Sequence, residues 1–215
     1  APNLDPMDIP AVQRYVKRHD ITLVVVGPEA PLVAGLADAL EADGIAVIGP
    51  GAKGAQLEGS KDFAKAFMAR NNIPTAAYKT FNASEIDDAI AFLDTFKAPY
   101  VLKADGLAAG KGVVIAADKA EAEATLRDML LDKRFGDASS RVVIEEFLDG
   151  IEVSMFAITD GTSFHLLPSA KDYKRVGEGD TGPNTGGMGA ISPVPFVTPE
   201  FQEKALNQII IPTIK

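Results

Sequence analysis

The segment from Val101 to Ala116, VLKADGLAAGKGVVIA, constrains the fold of this chain more than any other feature. Two apolar runs flank a short stretch of small residues, which predicts a strand, a glycine-rich loop and a second strand. Lys103 lies inside the first apolar run, where an ammonium group is costly unless an anion neutralises it. Lys111 lies among the loop glycines, whose missing side chains let the backbone approach a bulky polyanion. The pattern predicts that both lysines and the loop bind a nucleoside triphosphate.

The same segment argues against a P-loop. That motif is G-x-x-x-x-G-K-[ST] and opens directly into a helix. Here only three residues separate Gly106 from Gly110, and Gly112 stands where the motif needs a magnesium-binding hydroxyl. The next residues, 113–115, are β-branched and typical of strand. The sequence therefore predicts a glycine-rich hairpin loop over a ligand, and for Lys111 alone an ordinary surface hairpin is the favoured alternative.

Composition and charge exclude several classes of function. The 215 residues include no cysteine, which excludes disulfides and a thiolate nucleophile. The two histidines, His19 and His165, are far apart in sequence, so metal or triad chemistry based on histidine is not expected. The net charge of -9 disfavours general nucleic-acid binding, which needs a basic surface. No apolar run reaches membrane-spanning length and no signal peptide is visible, so the simplest expectation is a soluble, cytoplasmic protein.

Helical and strand patterns alternate at the start of the chain and predict a doubly wound α/β unit. The pattern assigns a helix to 8–19, a strand covered on both faces to 21–26, a loop to 27–32, a helix to 32–42 and a strand to 45–48. Two strands do not make a stable sheet. The chain is therefore expected to begin inside a domain whose first strands are absent.

The rest of the chain predicts a mixed arrangement of helices and strands. The elements are a helix at 60–71 with Ser60 as N-cap, a strand at 76–81, a helix capped by Ser84, the strand–loop–strand segment, a helix after Asp118, a strand at 141–147, a hairpin around Asp160-Gly161 and a helix opened by Thr198-Pro199. The stretch from Ala170 to Ala190 has almost no apolar residue to bury and predicts a long functional loop, with disorder as the alternative.

Acidic residues cluster after the strand predicted at 141–147. Adjacent strand residues point to opposite faces, so Glu145 and Glu146 cannot both enter the core. Glu152 follows at the start of the next strand, and an acid at a strand end can accept two ribose hydroxyls. For each of the three, a plain charged strand end is the alternative.

Other positions offer groups suited to anions. Lys174-Arg175 combines a point charge with a bidentate fork, and Asn184–Gly187 offers hydroxyl, amide and backbone donors. Lys61 lies in the first helical turn, where a cation is unfavourable unless an anion is near, and a solvated lysine is the alternative. Pro28-Glu29 follows a parallel strand, where α/β sheets bind ligands, although a purely structural turn is equally compatible.

Together these segments resemble the ATP-grasp superfamily and, within it, the glycinamide ribonucleotide synthetase family. Six stretches occur in the family's order: GPEAPLVAGLADAL, LEGSKDFAKAFM, IPTAAY, VLKADGLAAGKGVV, VVIEEFLDGIEVS and DTGPNTGGMGAISPVP. The resemblance implies part of a Rossmann-like parallel α/β domain in residues 1–58, followed by an ATP-grasp fold in residues 59–215. Within the second region, 76–147 would form a lid subdomain, and 59–75 with 148–215 the remainder.

The resemblance implies an ATP- and Mg²⁺-dependent ligase of purine biosynthesis that acts on small molecules. ATP would phosphorylate glycine, and the amine of 5-phosphoribosylamine would attack the acyl phosphate to give glycinamide ribonucleotide, ADP and phosphate. The family's first phosphate loop would precede Ala1 and its magnesium ligands would follow Lys215, so this chain alone is expected to be inactive. Another ATP-grasp carboxylate–amine ligase and a non-catalytic nucleotide-binding module remain as alternatives.

The resemblance also assigns site residues, with no metal ligand among them. Lys103 and Arg175 would be catalytic. The nucleotide would be held by Lys61, Lys103, Gly106, Gly110, Lys111, Gly112, Glu145, Glu146, Phe147, Leu148 and Glu152. Glycine and the phosphoribosyl group would contact Pro28, Glu29, Asp172, Lys174, Arg175, Asn184, Thr185, Gly186 and Gly187. The chain reads Lys171-Asp172-Tyr173 where many members have Gln-Asp-His, which looks like family variation.

Overall fold

The computed structural model describes residues 3–108, 111–179 and 181–215. The chain divides into two compact units, one of Ala1–Phe67 with Ala77–Glu146 and the other of Met68–Ala76 with Phe147–Lys215. The first unit contains a two-stranded and a four-stranded sheet, and the second contains a three-stranded sheet. The sequence-based domain boundaries after residues 58, 75 and 147 stay predictions.

The first unit opens with helices around a parallel pair of strands. The elements are α1 (Ile9–Arg18), β1 (Leu23–Val25), α2 (Glu29–Val33), α3 (Leu36–Ala42), β2 (Ala46–Ile48) and α4 (Ala52–Gly59). Helix α1 forms as predicted, because Asp8 accepts a hydrogen bond from the Ala11 N–H at 3.0 Å and Val12 and Val16 enter the core. Helix α4 had no prediction from the sequence.

The expectation that the first strands are covered on both faces is wrong. Val24 and Val47 point to one face, where they pack against helices α1 and α3. Leu23, Val25 and Ile48 point to the other face, and each is at least half exposed. A continuous apolar run does not distinguish one covered face from two, since strand side chains alternate and both faces of these strands carry apolar residues.

The predicted loop at 27–32 and the continuous helix at 32–42 also need correction. The chain turns helical at Glu29, because a proline at position 31 lies in the first turn, where its missing N–H has no helical partner to lose. Gly35 then adopts φ +93°, a left-handed conformation that ends α2 and lets α3 begin at Leu36.

A four-stranded antiparallel sheet forms the largest core of the first unit. Its strands are β3 (Tyr78–Asn82), β4 (Tyr100–Ala104), β5 (Val113–Ala116) and β6 (Arg141–Glu145), in the order β3-β6-β4-β5. The helices are α5 (Lys61–Arg70), α6 (Ile86–Phe92) and α7 (Lys119–Leu130). Leu102 and Ile144 lie in one cluster with Leu126 and Met129 of α7, all fully buried, so this sheet face is packed against helices.

Strand alternation decides which side chains face away from that core. Leu102 of β4 and Ile144 of β6 point into the cluster, so Lys103 and Glu145 point to the opposite face. The register pairs Val101 with Glu145, which makes Lys103 and Glu145 diagonal neighbours on adjacent strands. The strand–loop–strand predicted from VLKADGLAAGKGVVIA is thus present as β4 and β5.

The predicted cap at Ser84 is wrong by two residues. Asn82 is the N-cap: its side chain accepts from the Ser84 N–H at 2.9 Å, and Glu85 accepts from the Asn82 N–H at 3.0 Å. Together these bonds form a capping box, which opens a 3₁₀ turn at Ala83–Glu85 before α6. Ser84 has the right chemistry for a cap but lies already inside the turn.

The second unit contains strands β7 (Ser154–Thr159), β8 (Phe164–Gly177) and β9 (Thr181–Ile191), all antiparallel. The hairpin predicted around Asp160-Gly161 is present, and Gly161 has φ +86° in its turn. The long loop predicted from 170 to 190 is wrong, because β8 and β9 pair across most of it. Backbone hydrogen bonds between β8 and β9 stabilise this pair of strands, so it can form with few apolar side chains.

The last helical segment begins as predicted. Thr198 accepts a hydrogen bond from the Phe201 N–H at 3.2 Å, and Pro199 occupies the first helical position. Helix α8 (Pro199–Ala205) continues through a π-helical turn at Leu206–Ile210 into α9 (Ile211–Ile214). Within the described residues, no helix combines the length and apolarity needed to cross a bilayer.

Candidate nucleotide site

Two lysines meet one buried carboxylate on the face of the four-stranded sheet opposite its hydrophobic cluster. Lys103 Nζ lies 2.9 Å from Glu145 Oε2, and Lys65 Nζ of α5 lies 3.3 Å from the same oxygen. The Glu145 side chain is 6% exposed and that of Lys65 is 8% exposed, whereas Lys103 keeps 28% of its side-chain surface. The anion that makes Lys103 tolerable inside its strand is therefore Glu145 in this structure.

Lys61 adds a third cation beside this pair. Its Nζ donates a hydrogen bond to the Gly106 carbonyl oxygen at 3.4 Å. Burial lowers the pKa of the Lys61 ammonium, the nearby Lys103 acts in the same direction, and Glu58 and Asp105 partly offset the shift. Lys65 and Lys103 thus share the Glu145 carboxylate, and Lys61 brings a third ammonium group to the same region, with Glu58 and Asp105 as its nearest carboxylates.

Asp105 fixes the beginning of α5 to the start of the glycine-rich loop. Its Oδ1 accepts from Ser60 Oγ at 2.9 Å and from the Asp62 N–H at 2.8 Å. Its Oδ2 accepts from Arg141 at 2.6 Å, and Arg141 also donates to Asp62 at 2.7 Å. Ser60 in turn accepts from the Phe63 N–H, which confirms its predicted role as N-cap of α5. The network sets where Lys61 stands.

Close packing explains why two of the loop positions are glycine, which the sequence did not suggest. A Cβ on Gly106 would lie 3.0 Å from Ala138 Cα, and one on Gly112 would lie 2.8 Å from Ala108 Cβ. Close packing therefore requires glycine at both positions whether or not a ligand is near. Lys111 is exposed, and Gly110 lies outside the described residues.

Gly112→Ala tests this packing. The new methyl group would meet the Cβ atoms of Ala108 and Ala104 at 2.8 and 3.2 Å, so we expect a loss of about 1–3 kcal/mol in the free energy of unfolding. Urea denaturation followed by circular dichroism measures the loss. Gly189→Ala is the matched control, because a Cβ there meets no atom within 4 Å. Equal stability of the two variants would contradict the packing argument.

The end of β6 carries the predicted adenine residues. Glu145 points inward and Glu146 outward, as strand alternation requires. The Glu146 N–H donates to the Ala77 carbonyl at 2.9 Å, and its Oε2 accepts from the Ala77 N–H at 3.3 Å. Phe147 and Leu148, in the second unit, are exposed. Their contact with adenine stays a prediction.

In the second unit, Lys174 connects two of the predicted acids. Its Nζ lies 2.8 Å from Glu152 Oε1 and 3.5 Å from Asp172 Oδ2, and the contact with Glu152 raises the pKa of Lys174. Thr185 Oγ1 donates to the Lys174 carbonyl at 2.8 Å, so β9 contacts β8 here. This carboxylate–lysine cluster is exposed to solvent.

The remaining predicted residues lie on the β8–β9 ladder and at the start of α2. Arg175 pairs with Asn184 across the β8–β9 ladder, and the Gly187 N–H donates to Thr185 Oγ1 at 3.1 Å. Gly186 would tolerate a Cβ without contact, whereas Gly187 has φ +129°. In the first unit, Pro28 and Glu29 are the N-cap and first residue of α2 and are exposed.

Sequence reasoning missed four residues of this site: Asp62, Lys65, Asp105 and Arg141. Lys65 follows Lys61 by four residues, which places both on one side of α5, and that spacing was the available signal. Asp105 follows Lys103 by two residues, a position at the strand end. Nothing local in the sequence indicates that Arg141, 36 residues later, would pair with it.

No predicted site residue lines the cavity of about 430 Å³ in the second unit, which involves His165 and Gln202. Among the described residues, no group of three histidine or acidic side chains is placed to hold a metal ion. The site that the geometry supports is therefore the lysine cluster on the four-stranded sheet.

Comparisons with known proteins agree on one family. The model of the phosphoribosylglycinamide synthetase N domain matches residues 1–58, and that of the ATP-grasp (A) domain matches residues 59–215. Phosphoribosylamine–glycine ligase of Escherichia coli O6:H1 is 54% identical over 210 residues, which are 97% of this chain and 48% of that protein. The chain thus spans about half the length of the curated relatives it matches.

Solved structures give the same fold. The crystal structure of phosphoribosylamine–glycine ligase from Thermotoga maritima aligns with a TM-score of 0.70 at 40% identity, over 78% of this chain and 42% of that one. The biotin carboxylase domain of Hydrogenobacter thermophilus 2-oxoglutarate carboxylase aligns with a TM-score of 0.71 over 97% of this chain and 45% of that one. At 19% identity the second match concerns the fold alone. The predicted ATP-grasp fold is confirmed, and the chain belongs to the phosphoribosylglycinamide synthetase family.

Proposed function

We infer that this chain is the nucleotide-binding part of an ATP-dependent ligase that joins glycine to 5-phosphoribosylamine. The products would be glycinamide ribonucleotide, ADP and phosphate, a step of purine biosynthesis. The observation that carries the proposal is the grouping of Lys61, Lys65 and Lys103 beside strand β4, where Lys65 and Lys103 share the carboxylate of Glu145. Ammonium groups brought together in this way suit a polyphosphate.

The chemistry proposed for the site needs positioning and charge neutralisation. Phosphoryl transfer from ATP to a carboxylate leaves little covalent work for the protein. Lys103 would leave Glu145 in part to contact the phosphates, and Lys61 would support them from the start of α5. Arg175 and the segment 184–187 would face the acceptor substrates, as the family resemblance implies.

The adenosine end of the nucleotide would use the predicted acids. Glu145 and the backbone at 146–148 would contact adenine, and Glu152 would accept the ribose hydroxyls. The Lys174 ammonium group forms an ion pair with Glu152 Oε1 at 2.8 Å, so ribose binding at Glu152 would require this exposed ion pair to break. An exposed pair of this kind is worth about 0–1 kcal/mol, which a bound ribose can replace.

Magnesium is part of the proposed reaction but is not assigned to this chain. The described residues offer no cluster of acidic or histidine ligands, so no step is attributed to side chains that would hold the ion. When bound, Mg²⁺ would neutralise charge on the transferred phosphate. A cytoplasmic location and small-molecule partners complete the proposal.

The test is an assay of the complete gene product with ATP, Mg²⁺, glycine and freshly made 5-phosphoribosylamine. We expect ADP release that requires both acceptors, and glycinamide ribonucleotide detected by mass spectrometry. ADP release with another carboxylic acid in place of glycine would favour a different ATP-grasp ligase. ATP binding by calorimetry without any turnover would favour a non-catalytic nucleotide-binding module.

A further inference from the structure

We propose that Lys65 is a positioning residue that holds Glu145 when Lys103 turns to the nucleotide. The inference rests on the proposed function, since it assumes that a polyphosphate binds at the lysine cluster. Lys65 would not itself contact the phosphates. It would remain the counter-ion of Glu145, so that Lys103 can leave that carboxylate without stranding a buried charge.

The geometry gives the two lysines different roles although they share one oxygen. Both ammonium groups contact Glu145 Oε2, Lys103 at 2.9 Å and Lys65 at 3.3 Å. The Lys65 side chain is 8% exposed, and that of Lys103 is 28% exposed. Of the two, only Lys103 has substantial access to a ligand in solvent. Lys65 is placed to remain in contact with Glu145.

Further contacts keep Lys65 at the carboxylate. Its Nζ lies 5.3 Å from the centre of the Tyr78 ring, within the range of a cation–π contact. Tyr78 is the residue that β3 pairs with Glu145, so ring and carboxylate flank the ammonium group together. Helix α5, which carries Lys65, is fixed at its beginning by Asp105.

Charge counting shows why the second lysine matters. With Lys65 present, the group of Lys65, Lys103 and Glu145 has a formal charge of +1, and transfer of Lys103 to a phosphate leaves a neutral pair. Without Lys65, the same transfer leaves Glu145 buried and unpaired. A buried carboxylate without a partner is strongly unfavourable, so Lys103 would stay with it and the nucleotide would bind less tightly.

The burial of Lys65 has a cost that its partner only partly offsets. Loss of hydration lowers the pKa of the Lys65 ammonium, and the attraction of Glu145 opposes that shift. At this buried position a lysine offers no advantage over an apolar side chain of similar length unless its charge has a role. Methionine of similar length would fill the same space, which makes the substitution a test of the charge.

The experiment measures the KM for ATP and kcat of the complete gene product carrying Lys65→Met. We expect the KM for ATP to rise about tenfold, the effect of roughly one hydrogen bond to a charged group. kcat at saturating ATP should change much less, since the cost of drawing Lys103 away from Glu145 is then met when the nucleotide binds and appears in KM. Lys53→Met, the same change at an exposed site on α4, is the matched control and should behave as wild type.

A double-mutant cycle with Glu145→Gln separates positioning from mere packing. The amide needs no counter-ion, so Lys65→Met should no longer raise the KM for ATP in the Glu145→Gln background. Lys65→Arg, which keeps the charge, should stay closer to wild type than Lys65→Met. If Lys65→Met does not purify folded, Lys65→Gln takes its place in the same comparisons.

Three results would overturn the proposal. One is an unchanged KM for ATP in Lys65→Met, and another is the same rise with and without the Glu145 carboxylate. The third is an equal effect of Lys65→Arg and Lys65→Met. Failure of the proposed function would look different, because the wild-type protein itself would then form no glycinamide ribonucleotide.

Discussion

Lys103→Met is expected to lower kcat/KM for glycinamide ribonucleotide formation by about 100- to 1,000-fold, the usual effect of removing one preorganised donor to a developing charge. Lys103 is the more exposed of the two cations at Glu145 and lies beside the start of the glycine-rich loop. The protein should still fold, because Lys65 continues to neutralise Glu145 at 3.3 Å. Steady-state kinetics with ATP as the varied substrate measures the effect.

The control for this variant is Lys97→Met, an exposed lysine shortly before β4. It removes the same charge from the same region without touching the cluster, so its kinetics should match those of the wild type. Circular dichroism and thermal unfolding confirm that both variants are folded. Wild-type kcat/KM in a folded Lys103→Met protein would contradict the assignment of the phosphate site to this cluster.

Asp105→Ala is expected to cost about 3 kcal/mol in the free energy of unfolding, within the range for breaking a largely buried charged pair. Its carboxylate accepts hydrogen bonds from Ser60, Asp62 and Arg141, and its side chain is 10% exposed. Removal would also leave the Asp62 N–H, in the first turn of α5, without its acceptor. Urea denaturation of wild type and variant gives the difference.

Asp94→Ala is the matched control for Asp105→Ala. Asp94 also pairs with a cation, Lys119, but 67% of its side chain is exposed. Exposed pairs contribute about 0–1 kcal/mol, so this variant should lose little stability. Equal losses for the two aspartates would show that the Asp105 network does not stabilise the start of α5.

The sequence predicted the lysine-bearing strand β4 and the following strand β5 correctly, for a local reason. The alternation in β4 places Leu102 and Lys103 on opposite faces, and neighbouring residues alone decide that arrangement. The partner of Lys103 could not be found in this way. Glu145 is 42 residues distant in sequence, and only the strand order β6-β4 makes the two neighbours.

The errors in the sequence reading also have physical causes. The segment from Ala170 to Ala190 lacks apolar residues, and its strands are stabilised by ladder bonds that leave no periodic signature. Asn82 and Ser84 are both good capping residues, and only the backbone conformation of Asn82 decides between them. In the loop, glycine was interpreted as space for a ligand, whereas Ala138 and Ala108 already occupy the space beside two of the glycines.

The Asp105 network has a consequence for how this region assembles. Ser60 and Asp62 are more than 40 residues from Asp105 in sequence, and Arg141 is 36 residues beyond it. These contacts therefore form only when distant parts of the chain come together as the sheet assembles. Lys61 and Lys103, to which we assign phosphate binding, are therefore far apart in the unfolded chain. A polyphosphate that bridges Lys61 and Lys103 would stabilise only the folded form, in which the sheet is assembled. Its binding would therefore indicate that strands β3, β6 and β4 have paired.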